Sequence, residues 1–240
     1  MKNFDIVIVG AGSAGCIVTN QIINNTNLKV LLIEAGPSDN HPVIQIPLGY
    51  GMTFFHKKMN WNFYSEKQKK LNDREVYYPR GKVIGGSGSI NAMIYARGLK
   101  TDFENWNLNK SWSWENIKDT YEKIEVPIKG KSKKIPINKI PVNDVSNEHH
   151  SILKNYFNAA NDFHFQFNHQ LNSSIEDQVG NYNVNIINGF RASSAKIFLK
   201  PIKNHPNLTI LTNTEVLKLN YENRKISSLK IKHKKKNNSH

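Results

Sequence analysis

The chain has 240 residues, 38% of them hydrophobic and 22% charged, which suffices for a substantial core without disulfides or metals and excludes a wholly disordered protein. Its formal net charge of +14 comes from lysines spread among frequent asparagines, as at 67–70, 129–134 and 230–236; this reads as solvated surface, and no nucleic-acid recognition signature accompanies it. A single cysteine, Cys16, excludes an intramolecular disulfide, and the opening MKNFDIVIVG has neither a cleavage pattern nor an apolar run able to span a bilayer, so a cytoplasmic protein is expected, with no membrane span and no nucleic-acid partner.

Residues 4–9, FDIVIV, form a short β-branched run expected to be a strand buried on both faces of a parallel sheet. Gly10, Gly12 and Gly15 then fit G-x-G-x-x-G, and 14–23 carry Ile17, Val18, Ile22 and Ile23 at mixed three- and four-residue spacings, which predicts a helix with Cys16 packed inside it. In such a turn one glycine permits the tight bend, one lets backbone approach a pyrophosphate and one allows helix–sheet contact, while the phosphates meet the positive end of the helix. A second strand at 29–33, KVLLI, ends on Glu34, about twenty residues past the loop, where a carboxylate accepts adenosine ribose hydroxyls and repels a 2'-phosphate. Strand, turn, helix, strand and acid in this order predict a dinucleotide site, and the fingerprint leaves FAD and NAD both open.

Residues 37–78 show no long periodic element yet hold Tyr50, Phe54, Phe55, Trp61, Phe63 and Tyr64, which predicts an ordered excursion with its aromatics packed against the body or over a ligand. Next comes PRGKVIGGSGSINAMIYARG at 79–98, four of whose glycines fall within 81–88; this density permits close backbone approach to a ligand, and 90–96 can begin a helix beneath it.

That string resembles the first signature of the glucose-methanol-choline (GMC) oxidoreductases, and its surroundings agree: Trp61-Asn62-Phe63 and Asn72-Asp73-Arg74 before it, then Asp102-Phe103-Glu104-Asn105-Trp106 and Trp112-Ser113-Trp114 after it. Asn188-Gly189-Phe190-Arg191-Ala192-Ser193-Ser194, leading to Leu199-Lys200-Pro201, and the stretch from Pro206 to Val216 follow in family order. The resemblance implies an α/β, Rossmann-like FAD-binding fold with a parallel sheet, incomplete, plus the beginning of a substrate-binding domain. It implies an FAD-binding part at 1–125 with a cofactor-covering excursion at 37–80, the start of a substrate-side segment at 126–176, a return to the FAD-binding part at 177–229 and a basic tail at 230–240. Its cofactor would be FAD: Gly10, Gly12, Ser13, Ala14 and Gly15 at the pyrophosphate, Glu34 and Ala35 at the ribose, Val83, Gly86, Ser87, Asn91, Ala92, Met93 and Ile94 on the flavin and phosphate side, and the Val216 backbone at the adenine.

The activity implied is oxidation of a small primary alcohol by hydride transfer to flavin N5, with a histidine base that in the family lies beyond the last residue here. His149-His150 and the histidines of 164–169 match no such motif, join no acidic or thiolate ligand pattern, and predict no metal site. Ser193 and Ser194 suit a helix start rather than a nucleophile elbow. The expectation is a truncated gene product, a split-gene half with a separate C-terminal partner, or a fragment; the alternative is a non-catalytic or decayed FAD-binding piece.

Overall fold

The structure, a computed structural model, describes residues 3–106, 108–132, 134, 137–168, 171 and 178–233. Residues 172–176 of the expected substrate-side segment, His169, and 234–240 of the expected basic tail lie outside the described residues. The chain divides into two compact units, Met1–Ala92 with Ser193–His240, and Met93–Ala192.

The first unit is built on a three-stranded parallel sheet. Strand β1 (Ile6–Val9) runs into the glycine turn, helix α1 (Ser13–Asn25) crosses back, and β2 (Val30–Ile33) pairs with β1 in the register Ile6↔Val30 to Val9↔Ile33. The other edge of β2 pairs, also parallel, with Leu208–Leu211. This central position explains why the run VLLI is buried at all four residues, as a strand covered on both faces must be. In β1 burial alternates instead: Ile8 packs on the core, while Val7 and Val9 are exposed. The expectation of burial on both faces fails there: among the described residues β1 is an edge strand, and the face that carries Val7 and Val9 is uncovered.

Helix α1 buries Cys16, Thr19, Asn20 and Ile23, one stripe at three- and four-residue spacing, whereas Val18 is exposed. Two polar residues can sit on that stripe because their groups are satisfied: Thr19 Oγ1 donates to the Gly15 carbonyl at 2.7 Å, and Asn20 Nδ2 to the Phe198 carbonyl at 2.8 Å. The second bond ties α1 to the helical segment Ala195–Leu199, a single π-type turn continued by a 3-10 turn at Lys200–Ile202. Ser194 is its N-cap residue, and the Ser193 hydroxyl accepts from the Lys196 N–H at 3.3 Å. Ala11, Cys16, Ile23, Leu32, Ala195 and Leu199 are among the side chains that close this core.

The excursion is ordered, but its aromatics stack on one another more than in a core. Phe54, Phe55, Phe63 and Tyr64 are all exposed. Phe55 stacks on Tyr77 at 5.3 Å between ring centroids, and Trp61 on Phe63 at 5.6 Å. A short antiparallel pair, Phe63–Tyr64 with Tyr77–Tyr78, carries them. Buried Asn60 organises the base: its Nδ2 donates to the Phe54 carbonyl at 2.6 Å, and its Oδ1 accepts from the N–H groups of Asn62 and Arg80. Beyond the glycines, 90–96 forms no helix. A 3-10 turn at Gly86–Ser89 ends at Ile90, Met93 takes a left-handed φ of 61°, and Ile94–Tyr95 is a strand.

In the second unit a four-stranded sheet has the order Ile94–Tyr95, Asn183–Val184, Ile140–Asp144, Glu125–Lys129. Glu125, buried, forms an ion pair with Arg97 and accepts from the Tyr95 hydroxyl. That pairing raises Arg97, and burial together with Glu125 pushes the Tyr95 phenol up. Burial alone lowers Arg191 to about 10. At the C-terminal side of the first unit, Thr214–Glu222 pairs antiparallel with Lys225–His233, so 230–233 of the expected tail are strand.

Candidate functional site

The two glycine stretches meet. The Gly85 N–H donates to the Ala11 carbonyl at 2.6 Å, and a Cβ on Gly86 would lie 2.7 Å from the Gly12 Cα. A Cβ on Gly88 would come within 2.8 Å of Ser13 Oγ. Gly86 also needs its left-handed φ of 58°. The glycine density of the second stretch therefore serves the close approach of two backbones at the start of α1, a demand that sequence alone assigns to a ligand. Gly15 has a similar internal reason: a Cβ there would stand 2.0 Å from the Gly10 carbonyl oxygen, so its absence lets α1 lie against the end of β1.

Around this junction opens a cleft of about 700 Å³, within the usual range for small-molecule sites. Gly10, Gly12, Ser13, Ala14, Gly15, Glu34, Ala35, Gly86, Ser87 and Val216 all line it. Other predicted residues stand elsewhere. Val83 is fully buried in a small core with Ile44, Met59 and Ile90, while Asn91 and Ala92 are exposed and outside the cleft's lining. Met93 and Ile94 belong to the second unit, where Met93 is buried and Ile94 pairs with Val184.

The cleft also takes in Trp61, Phe63, Arg80, Gly81, Thr214 and Glu215. Trp61 and Phe63 carried a signal as aromatics in a long excursion; Thr214 and Glu215 follow from their place beside Val216 on one strand. The Thr214 N–H donates to the Glu34 carbonyl and the Asn213 N–H to that of Gly36, which sets this strand start against the end of β2. Lys82 Nζ lies 3.7 Å from the Trp61 ring centroid, a cation–π contact that braces the stacked pair.

Three features make the cleft fit a dinucleotide. The N-cap of α1 is Gly12, with no side-chain cap and no acid in the first turn, so its backbone N–H groups and dipole are available to an anion. A Cβ built on Gly12 meets nothing within 4 Å, which leaves that side open to close approach. Glu34 is 6% exposed, and its carboxylate accepts from the Ala11 N–H and the Gly36 N–H, each at 2.9 Å. Two of roughly four acceptor positions are thereby used, and the remainder can take hydroxyl donors. Burial pushes the Glu34 carboxyl up, against the N–H bonds from Gly36, Ala11 and Ala35 and the charge of Lys82, which hold it down.

Among the described residues no histidine lines this cleft. Among the described residues no group of three His, Cys, Asp or Glu side chains is arranged to hold a metal ion. His150 Nδ1 accepts from the Ile152 N–H at a helix start, and His164 has a left-handed φ of 65° just past a helix end. Among the described residues no helix is long and apolar enough to cross a membrane.

The GMC oxidoreductase family model matches residues 4–240. An alcohol dehydrogenase [acceptor] of Pseudomonas putida is 35% identical over 226 residues, covering 92% of this chain and 41% of that protein. The chloroplastic fatty acid photodecarboxylase of Chlamydomonas reinhardtii is 32% identical, covering 92% and 36%, and an oxygen-dependent choline dehydrogenase of Vibrio vulnificus is 28% identical, covering 93% and 41%. Among solved structures, pyridoxine 4-oxidase from Mesorbium loti superposes with a TM-score of 0.85 at 29% identity, covering 96% of this chain and 46% of that one. The chain thus spans less than half the length of each of these relatives.

Proposed function

The chain belongs to the GMC oxidoreductase family, and on that premise we propose that its glycine-lined cleft holds FAD in the service of primary-alcohol oxidation. The observation that carries this reading is the convergence of an uncapped helix N-terminus, an open glycine and a buried carboxylate on one cleft. The first N–H groups of α1, with Gly10, Gly12, Ser13, Ala14 and Gly15 around them, hold the pyrophosphate, and Gly86 and Ser87 close over it. Glu34, held by the Ala11 and Gly36 N–H groups, turns its spare lone pairs to the ribose hydroxyls, and the Val216 backbone meets the adenine. Trp61, half-buried, and exposed Phe63 stack along the cleft's lining, where their rings can cover the bound cofactor.

Bound there, FAD supplies a hydride acceptor for the carbinol carbon at flavin N5. Removing the hydroxyl proton needs a base, and among the described residues that line the cleft none is a histidine. These residues bind and orient the cofactor, and none of them serves as the base. Alcohol as the substrate class rests on the names of the relatives, alcohol and choline dehydrogenases.

The test is the visible spectrum of the purified chain after incubation with FAD and removal of free cofactor. Retained flavin bands near about 370 and about 450 nm, unbleached when a primary alcohol is added without oxygen, match the proposal. A colourless protein overturns the cofactor site, and prompt bleaching by alcohol overturns the assignment of the base.

A further inference from the structure

Among the described residues that line the glycine-lined cleft, the charged side chains are Glu34, Glu215 and Arg80. Two acids against one base leave this lining net negative, and a pyrophosphate would bring further negative charge into it. The N-terminus of α1 offers only about half an elementary charge in return. Lys82 is not among the lining residues: its ammonium stands over the Trp61 ring, and its charge acts on Glu34. Among the described lining residues, Arg80 is thus the cation available to the phosphates.

The backbone fixes where Arg80 stands. Its N–H donates to Asn60 Oδ1 at 2.9 Å, and its carbonyl accepts from the Trp61 N–H at 2.9 Å. The next residue, Gly81, donates its N–H to the Ser87 hydroxyl at 3.1 Å, and a Cβ there would lie 2.2 Å from the Gly86 carbonyl carbon. Gly86 in turn lies against Gly12, the N-cap of α1, so a run of close backbone contacts links Arg80 to the start of that helix. The side chain is exposed, and its Nη1 donates to the Pro79 carbonyl at 2.8 Å. A guanidinium carries five N–H donors in a rigid fork, so that bond leaves others for a bidentate hold on phosphate oxygens.

We infer that Arg80 is the counter-charge to the cofactor's pyrophosphate, which the start of α1 holds by its N–H groups. This rests on the reading of the cleft as an FAD site and adds to it the residue that selects for the diphosphate. Because the side chain is exposed, salt screens its charge, and its effect belongs at low ionic strength.

Flavin fluorescence during titration gives the Kd for FAD, and displacement of FAD by ADP probes the pyrophosphate without the flavin. Arg80→Gln should weaken FAD and ADP alike by ~5-fold or more at an ionic strength of about 0.02 M, and the factor should shrink at about 0.5 M. Arg80→Lys keeps the charge without the fork and should fall between Arg80→Gln and the natural chain. Lys57→Gln removes a charge from an exposed residue outside the lining and should leave both affinities unchanged. Without FAD, Arg80→Gln should melt with the natural chain, since the contacts that fix Arg80 run mainly through its backbone. No FAD binding by the natural chain would overturn the reading of the cleft, and this inference with it. The inference alone is overturned if FAD binding survives Arg80→Gln, if ADP does not share the loss, or if the loss is as large at high salt. Arg80→Lys no better than Arg80→Gln, an equal loss in Lys57→Gln, or a melting temperature lowered in step with affinity would each count against it in the same way.

Discussion

Gly12 and Gly15 lie three residues apart in one motif, yet their substitution should have opposite signatures. Gly12→Ala adds a methyl group that meets no protein atom within 4 Å at an ordinary φ of −70°, so it should cost stability under about 1 kcal/mol while weakening FAD ~10-fold or more. Gly15→Ala places its methyl 2.0 Å from the Gly10 carbonyl oxygen and should cost about 1–3 kcal/mol, because β1 and α1 must part. Paired melting curves and flavin titrations separate the two effects. Cys16 is fully buried, donates to the Ala11 carbonyl at 3.3 Å, and has its thiol pushed from 9.0 to about 12, chiefly by burial. The native thiol keeps its proton where the unfolded one loses it, so folding stability should fall as pH rises through the window from 9.0 towards about 12. Urea unfolding at about pH 8 and about pH 10.5 checks this: the loss should be larger in the natural chain than in Cys16→Ala. The role of Gly15 was legible in the sequence because its reason is local to one motif. The close approach of Gly86 to Gly12 was not, because it joins residues 74 positions apart that only the fold brings together.

Among the elements, β2 was readable because four consecutive apolar residues have one common explanation, a strand covered on both faces. Helix α1 was readable as a helix, but its buried face was not, since Thr19 and Asn20 hold the inward stripe and hide their polarity in bonds to backbone carbonyls. Asn20→Ala should therefore cost about 1–3 kcal/mol by stranding the Phe198 carbonyl, read as a fall in melting temperature of roughly 2–12 °C. The segment 90–96 misled for a related reason. Its apolar residues suit a helix as well as a strand, and tertiary pairing of Ile94–Tyr95 with Asn183–Val184 decides between them. The excursion's aromatics looked like core because sequence cannot distinguish stacking among exposed rings from burial.

For the whole molecule, the family and the parallel sheet were legible from motif order, while the extent of the cleft was not, since its wall is assembled from four distant segments around residues 12, 34, 61–87 and 215. FAD binding to the native state alone should raise stability by about 2.7 kcal/mol at a hundredfold excess over Kd, measurable as a melting temperature that climbs with FAD concentration. A flat melting temperature would argue against a site in the folded chain. The pairing of β2 with Leu208–Leu211 has a further consequence during synthesis. Val30 meets Leu208, so the strand at the centre of the sheet leaves the ribosome 178 residues before its partner. At about 5–20 residues per second it waits roughly ten to thirty-five seconds with one edge bare. During that wait Met93–Ala192, which carries a sheet of its own, is completely synthesised. The nascent chain thus exposes the strand that is fully buried in the folded unit for as long as translation of the intervening unit lasts, and slowing elongation within that unit lengthens the interval in which that edge stays open to wrong pairing.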